Sequence, residues 1–199
     1  MTGLSARFAA VVAVISLGTA GSLVSPVLAT RAVAAPPTQI VDVADLASCC
    51  GDPQPDATGA AAFGTVSKAG GGEADIFASQ ITIPPPSPGL AAAAPPDIRL
   101  VLSRAGQDYA ECFLVQTKNS GGANPQVFQL AIIKATFRSF STIKQLAGQC
   151  DIDLSTDGIQ SGIPAVEPDD VATVTSVSGS VRTDFLSGTF VVQQTPPLE

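Results

Sequence analysis

The sequence predicts an all-β fold, an antiparallel β-sandwich or small barrel of about 7–9 strands. Three observations carry that reading. Short runs rich in Val, Ile, Thr and Phe recur between Gly, Pro, Asn and Asp clusters. In Asp97–Ser103, residues Ile98, Leu100 and Leu102 fall on one face at period two. The only long uncharged apolar stretch lies at the extreme N-terminus, where it reads as a targeting segment and not as a core helix.

That segment comes first in the chain. Arg7 precedes the apolar run Phe8–Leu17, and a small-residue stretch then ends in Ala32-Val33-Ala34. Basic start, apolar centre and A-x-A end are the pattern of a secretory signal peptide. Residues 1–34 are therefore expected to be cleaved, with Ala35 as the first mature residue and Val27-Leu28-Ala29 as the second candidate site. Phe8–Ala29 has the length of a membrane span, but Gly18, Gly21 and Pro26 dilute its second half and no basic stop-transfer cluster follows. Leu46-Ala47-Ser48-Cys49 has the letters of a lipid-attachment box. It stands too far beyond the apolar run for that role, with Asp42 and Asp45 between.

Residues 35–59 are rich in Pro, Asp and Gly and read as an arm or first edge strand, Ile40–Val43, followed by a turn at Gly51-Asp52-Pro53. Residues 60–199 form a single β domain, within the size one core can fill. Phe63–Val66 and Glu73–Ile83 are strand-like on either side of Lys68-Ala-Gly-Gly-Gly72. A Pro/Ala-rich loop spans 84–96; its prolines can neither donate to a ladder nor sit inside a helix. Asp97–Ser103, a tight turn at Ala105-Gly106 and Tyr109–Thr117 make a hairpin. Asp170–Val177 and Phe185–Gln193 supply further strands.

Pro125–Ala147 carries two signals. Asn124 and Pro125 would start a helix and Gly148 would stop it, with Leu130, Ile133, Phe137 and Phe140 on one face. The β-branched and aromatic content, with the alternation Phe128, Leu130, Ile132, favours two strands around Arg138–Thr142 instead. The strand reading is adopted; a helix at 125–147 would make the class α+β.

All 17 acids follow Ala34 while two of the ten bases, Arg7 and Arg31, precede it, so the mature balance is 8 minus 17, or −9. An acidic chain lacks the basic face that nucleic acids or anionic membranes require. No later stretch is long enough to span a membrane, so the mature chain is expected to work without membrane insertion. Cys49, Cys50, Cys112 and Cys150 are expected to form disulfides in an oxidising compartment. Cys112–Cys150 is the preferred pair because both lie in strand-like segments. The pairing of Cys49 and Cys50, vicinal or separate, stays open. No C-x-x-C spacing marks a zinc site.

The absence of histidine removes Ser-His-Asp and Cys-His nucleophile pairs and His-ligated metals. Ser141-Thr-Ile-Lys144 matches S-x-x-K without its companion motifs. The densest polar constellation is Asp151–Gly158. Counted from Asp153, oxygens fall at positions one, three and five (Asp153, Ser155, Asp157), with Gly158 at six, as in a calcium loop. Position twelve is Pro164, so a weak site would need Glu167, Asp169 or Asp170, and the plainer reading is a turn. No other cofactor is expected. The functional expectation is an exported, secreted or periplasmic, non-catalytic β protein with an unknown extracellular or envelope ligand and a binding, adhesion or envelope-structural role. The alternative is a small secreted hydrolase using a carboxylate pair such as Asp151/Asp153.

Overall fold

A computed structural model describes residues 40–51, 56–68, 72–85, 97–118, 125–137, 140–154 and 160–194. The expected signal peptide, residues 86–96 of the Pro/Ala-rich loop, and Ser155, Asp157 and Gly158 lie outside the described residues. All described residues belong to one compact unit, Pro36–Glu199. They form thirteen strands and no helix: β1 (Ile40–Ser48), β2 (Thr58–Lys68), β3 (Gly72–Ile83), β4 (Asp97–Arg104), β5 (Gln107–Phe113), β6 (Val115–Lys118), β7 (Gln126–Phe137), β8 (Phe140–Ala147), β9 (Gln149–Asp151), β10 (Ser161–Gly162), β11 (Val171–Ser178), β12 (Val181–Thr189) and β13 (Val191–Gln194).

Every pairing is antiparallel, in the order β10-β9-β5-β4-β11-β12-β1-β2-β3-β7-β6, with β13 on β1 and β8 on β7. The all-β antiparallel class stands. The strand count exceeds the expected seven to nine, in part because three segments bend and are each divided in two. Pro125–Ala147 is not a helix: β7 and β8 pair from Ala131↔Ala147 to Phe137↔Phe140. Its β-branched and aromatic side chains suit a pleated surface better than a helix, whose preceding turn would restrict them.

The divided segments curl the sheet around one core. The β5/β9 ladder ends at Phe113↔Gln149. There the two chains part at Leu114 and Gly148 and continue as β6 and β8 along one edge of β7, against Val127–Gln129 and Ala131–Phe137 respectively. Gly148 suits this corner because its φ is +67° and an added Cβ would meet the Phe113 carbonyl oxygen. At a second bend Phe190 divides β12 from β13, which pair with successive parts of β1. Strands that pass between sheet faces at bends are the usual way such corners form. Ile40–Ser48, expected as an arm or edge strand, is held on both sides, by β2 and by β13 and β12.

Inside the curl, β4 buries Ile98, Leu100 and Leu102 as the period-two pattern requires. Phe77, Phe128, Phe185 and Phe190 fill the centre with Leu130, Ile132 and Leu186. Each such side chain contributes about 1.5–3 kcal/mol on burial. Cys112 and Cys150, directly opposed on β5 and β9, are bonded to each other within this core. Cys49 is bonded to Cys50, and its amide donates to the Phe185 carbonyl at 3.1 Å. The structure thus pairs the lipid-box cysteine with its neighbour. No helix among the described residues is long and apolar enough to cross a membrane.

Candidate functional site: the Asp170 and Asp42 carboxylates

The β4–β5 turn sets the first two members of the site. Ala105 and Gly106 have φ of +50° and +78°, the backbone of a tight hairpin turn that glycine supplies without strain. The turn places Arg104 at the end of β4 and Tyr109 in β5. Both reach Asp170, which stands just before β11 with its side chain 1% exposed. Arg104 Nε donates to Asp170 Oδ1 at 2.8 Å and Nη2 to Oδ2 at 2.9 Å, a bidentate fork. Tyr109 OH donates to Oδ2 at 2.8 Å and the Glu167 amide donates to it at 2.9 Å. Arg104 also donates to the Ala165 carbonyl, pairs with Glu167 Oε1 at 2.8 Å and lies over the Tyr109 ring.

The Asp170 backbone completes the joint. Its carbonyl accepts from the Phe190 amide at 2.8 Å, and the Asp169 amide donates to the Phe190 carbonyl at 2.9 Å. Through its carboxylate and the backbone beside it, Asp170 therefore ties together the β4–β5 hairpin, the 163–170 segment and the β12–β13 bend. Burial by itself would raise its pKa, but the donors Arg104, Glu167 N–H and Tyr109 outweigh that and hold it below the ordinary value of 3.8. Tyr109 is shifted upward, by burial and then by its bond to Asp170, so its hydroxyl remains a donor. Three donors on Oδ2 and one on Oδ1 occupy this carboxylate as an acceptor. It is built as a clamp and poorly suited to be a base.

Asp42 is the opposite case. It shares the inward face of β1 with Ala44 and Leu46, at period two, and the residue is 9% exposed. Its Oδ1 has no hydrogen-bond partner among the described residues. Its pKa is raised, first by burial and then by the charge of Asp170. Sequence reasoning missed this cluster. The available signal was Asp42 itself, an acid in register with Ala44 and Leu46 on a core-facing stripe.

The expected calcium constellation is only partly described. Asp151 Oδ1 accepts from the amides of Asp153 (3.2 Å) and Gln160 (3.0 Å), so this carboxylate closes the turn upon itself. Of the three proposed helpers, Glu167 and Asp170 are committed to Arg104. Among the described residues no group of three acids or cysteines is disposed to hold a metal ion. Ser141 and Lys144 of the S-x-x-K match are both exposed on β8, and residues three apart on a strand point to opposite faces, so they make no catalytic dyad.

Comparison with protein-family models, with curated proteins and with solved structures finds no match for this chain.

Proposed function

We propose that the chain is an exported, disulfide-supported, non-catalytic β protein with a binding, adhesion or envelope-structural role. The observation that carries the proposal is the Cys112–Cys150 bond, fully buried between directly opposed positions of β5 and β9. Such bonds form and persist in oxidising compartments, which is where the Arg7, Phe8–Leu17 and Ala32-Val33-Ala34 pattern would send the chain. The carboxylate chemistry supports the non-catalytic part. Asp170 is consumed by four donors and Asp42 is enclosed, so a hydrolase using that pair would have to open the core to admit substrate.

Expression with the native leader in an export-competent bacterium, followed by fractionation and N-terminal sequencing, tests the reading. It predicts product outside the cytoplasm beginning at Ala35. Membrane-bound product still beginning at Met1 would overturn it.

A further inference from the structure

The mature chain is strongly acidic, yet its charge is unevenly placed. Between Glu111 and Asp151 there is no acid, while Lys118, Lys134, Arg138 and Lys144 fall in that interval. The remaining mature residues therefore carry 4 bases and all 17 acids, a balance of −13 against +4 for residues 112–150. The difference extends to pairing. Arg99, Arg104 and Arg182 are all held in ion pairs with acids, whereas among the described residues Lys134 on β7 and Lys144 on β8 have none.

β8 is also poorly covered. Ser141 to Leu146 are all exposed, and among the described residues β8 pairs with β7 alone. A core strand on a curled sheet would hide one face; Ser141–Leu146 hides neither. Its register with β7 puts Ile143 opposite Lys134 and Lys144 opposite Ile133, so Thr142 and Lys144 share one face and Ser141, Ile143 and Gln145 the other. Ile143 is 46% exposed, and Leu146, the extra residue at the Ala131/Ile132 irregularity, is 55% exposed. Exposed apolar side chains flank an unpaired lysine along a strand with one unpaired backbone edge. Such an edge can accept an additional strand.

From this juxtaposition we infer that β8 is a docking edge for an extended acidic segment of another protein, which adds antiparallel to it with an acidic side chain across from Lys144. Backbone ladder bonds supply the attachment and the cross-strand pair with Lys144 selects the charge. A second copy of this chain is a poorer occupant. None of the strands paired on one side only among the described residues, β6, β8, β10 and β13, contains an acid to oppose Lys144. The inference rests on the binding role proposed above and names its partner. Its failure is distinguishable, because leader cleavage and disulfide pairing are read without any peptide.

The probe is a fluorescent octapeptide alternating Glu and Val, titrated into the purified full chain at fixed ionic strength and followed by anisotropy. Saturable binding is expected, with hydrogen-exchange protection appearing at residues 141–146. The same peptide with Lys in place of Glu should not bind. Lys144→Glu, an exposed change whose folding is checked by circular dichroism, should weaken the Glu peptide about tenfold. Methylating alternate backbone nitrogens of the Glu peptide on its pairing edge should abolish binding, since that edge can no longer join a ladder. Equal binding by the methylated peptide, protection elsewhere than β8, or sedimentation showing that the chain pairs with itself through β8 would each overturn the inference.

Discussion

Replacing Asp170 by alanine removes the carboxylate that joins the β4–β5 hairpin to the 163–170 segment, while the backbone bonds to Phe190 remain. The loss can be worked from its partners. Breaking a buried ion pair by deleting one member costs about 3–5 kcal/mol, because the other charge is left stranded. Here the stranded partner, Arg104, has a side chain 41% exposed and still reaches Glu167 and the Ala165 carbonyl, so water and these acceptors recover part of the penalty. Tyr109 OH and the Glu167 amide also lose their acceptor. The expected cost is therefore at the low end, about 3 kcal/mol, roughly 150-fold in the folding equilibrium. Urea denaturation followed by circular dichroism should place the midpoint about 1.5 M lower, for a slope of about 2 kcal/mol per molar. The effect should depend on pH with a definite sign. The folded pKa of Asp170 lies below its unfolded value, so its stabilisation is complete above the unfolded pKa and is lost as pH falls through the folded one. The gap between wild type and Asp170→Ala should narrow below about pH 4. A loss under about 1 kcal/mol at neutral pH, or a gap unchanged down to acid pH, would refute the clamp.

Three further outcomes are expected. Asp42→Asn should stabilise the protein at neutral pH by about 1–3 kcal/mol by removing a buried charge whose Oδ1 lacks a partner. Since the folded pKa of Asp42 is raised, wild-type stability should fall as pH rises from the unfolded value through the folded one, and this slope should vanish in Asp42→Asn; a neutral or destabilising substitution on urea titration would count against it. Gly148→Ala should prevent normal folding or cost several kcal/mol, read as loss of soluble yield or melting temperature, because a side chain there collides with the Phe113 carbonyl at a positive φ. Cys112→Ala/Cys150→Ala should lose about 4 kcal/mol by the chain-entropy relation for a sequence separation of 38, measured by denaturation of the oxidised protein and the double variant.

The class of fold was legible because its signals are local. Ile98, Leu100 and Leu102 alternate over a single strand and are buried together, and the β-branched content of 126–147 outweighs helix-like caps at Asn124, Pro125 and Gly148. The curl was not legible, since it depends on where strands bend. Gly148 looked like a helix stop and works as the corner of a sheet, a distinction that only the nearby Phe113 carbonyl makes. Residues 35–59, with the apolar patch Ile40–Val43, read as an arm or first edge strand because Pro, Asp and Gly surround that patch; the central place of β1 comes from β12 and β13, about 140 residues away in sequence. The Asp170 cluster draws on Arg104, Tyr109, Glu167 and Asp170, which form no motif by spacing. Asp42 looked like any acid of an arm until its stripe proved to face inward.

Export into an oxidising compartment is tested most directly by trapping thiols in cells. Cells expressing the full chain with its leader are quenched in acid, and the denatured protein is alkylated without reduction before mass mapping. The account predicts a processed chain in which none of the four cysteines is alkylated and the Cys112 and Cys150 peptides stay linked until reduced. A full-length chain carrying alkyl groups on Cys112 and Cys150 would contradict it.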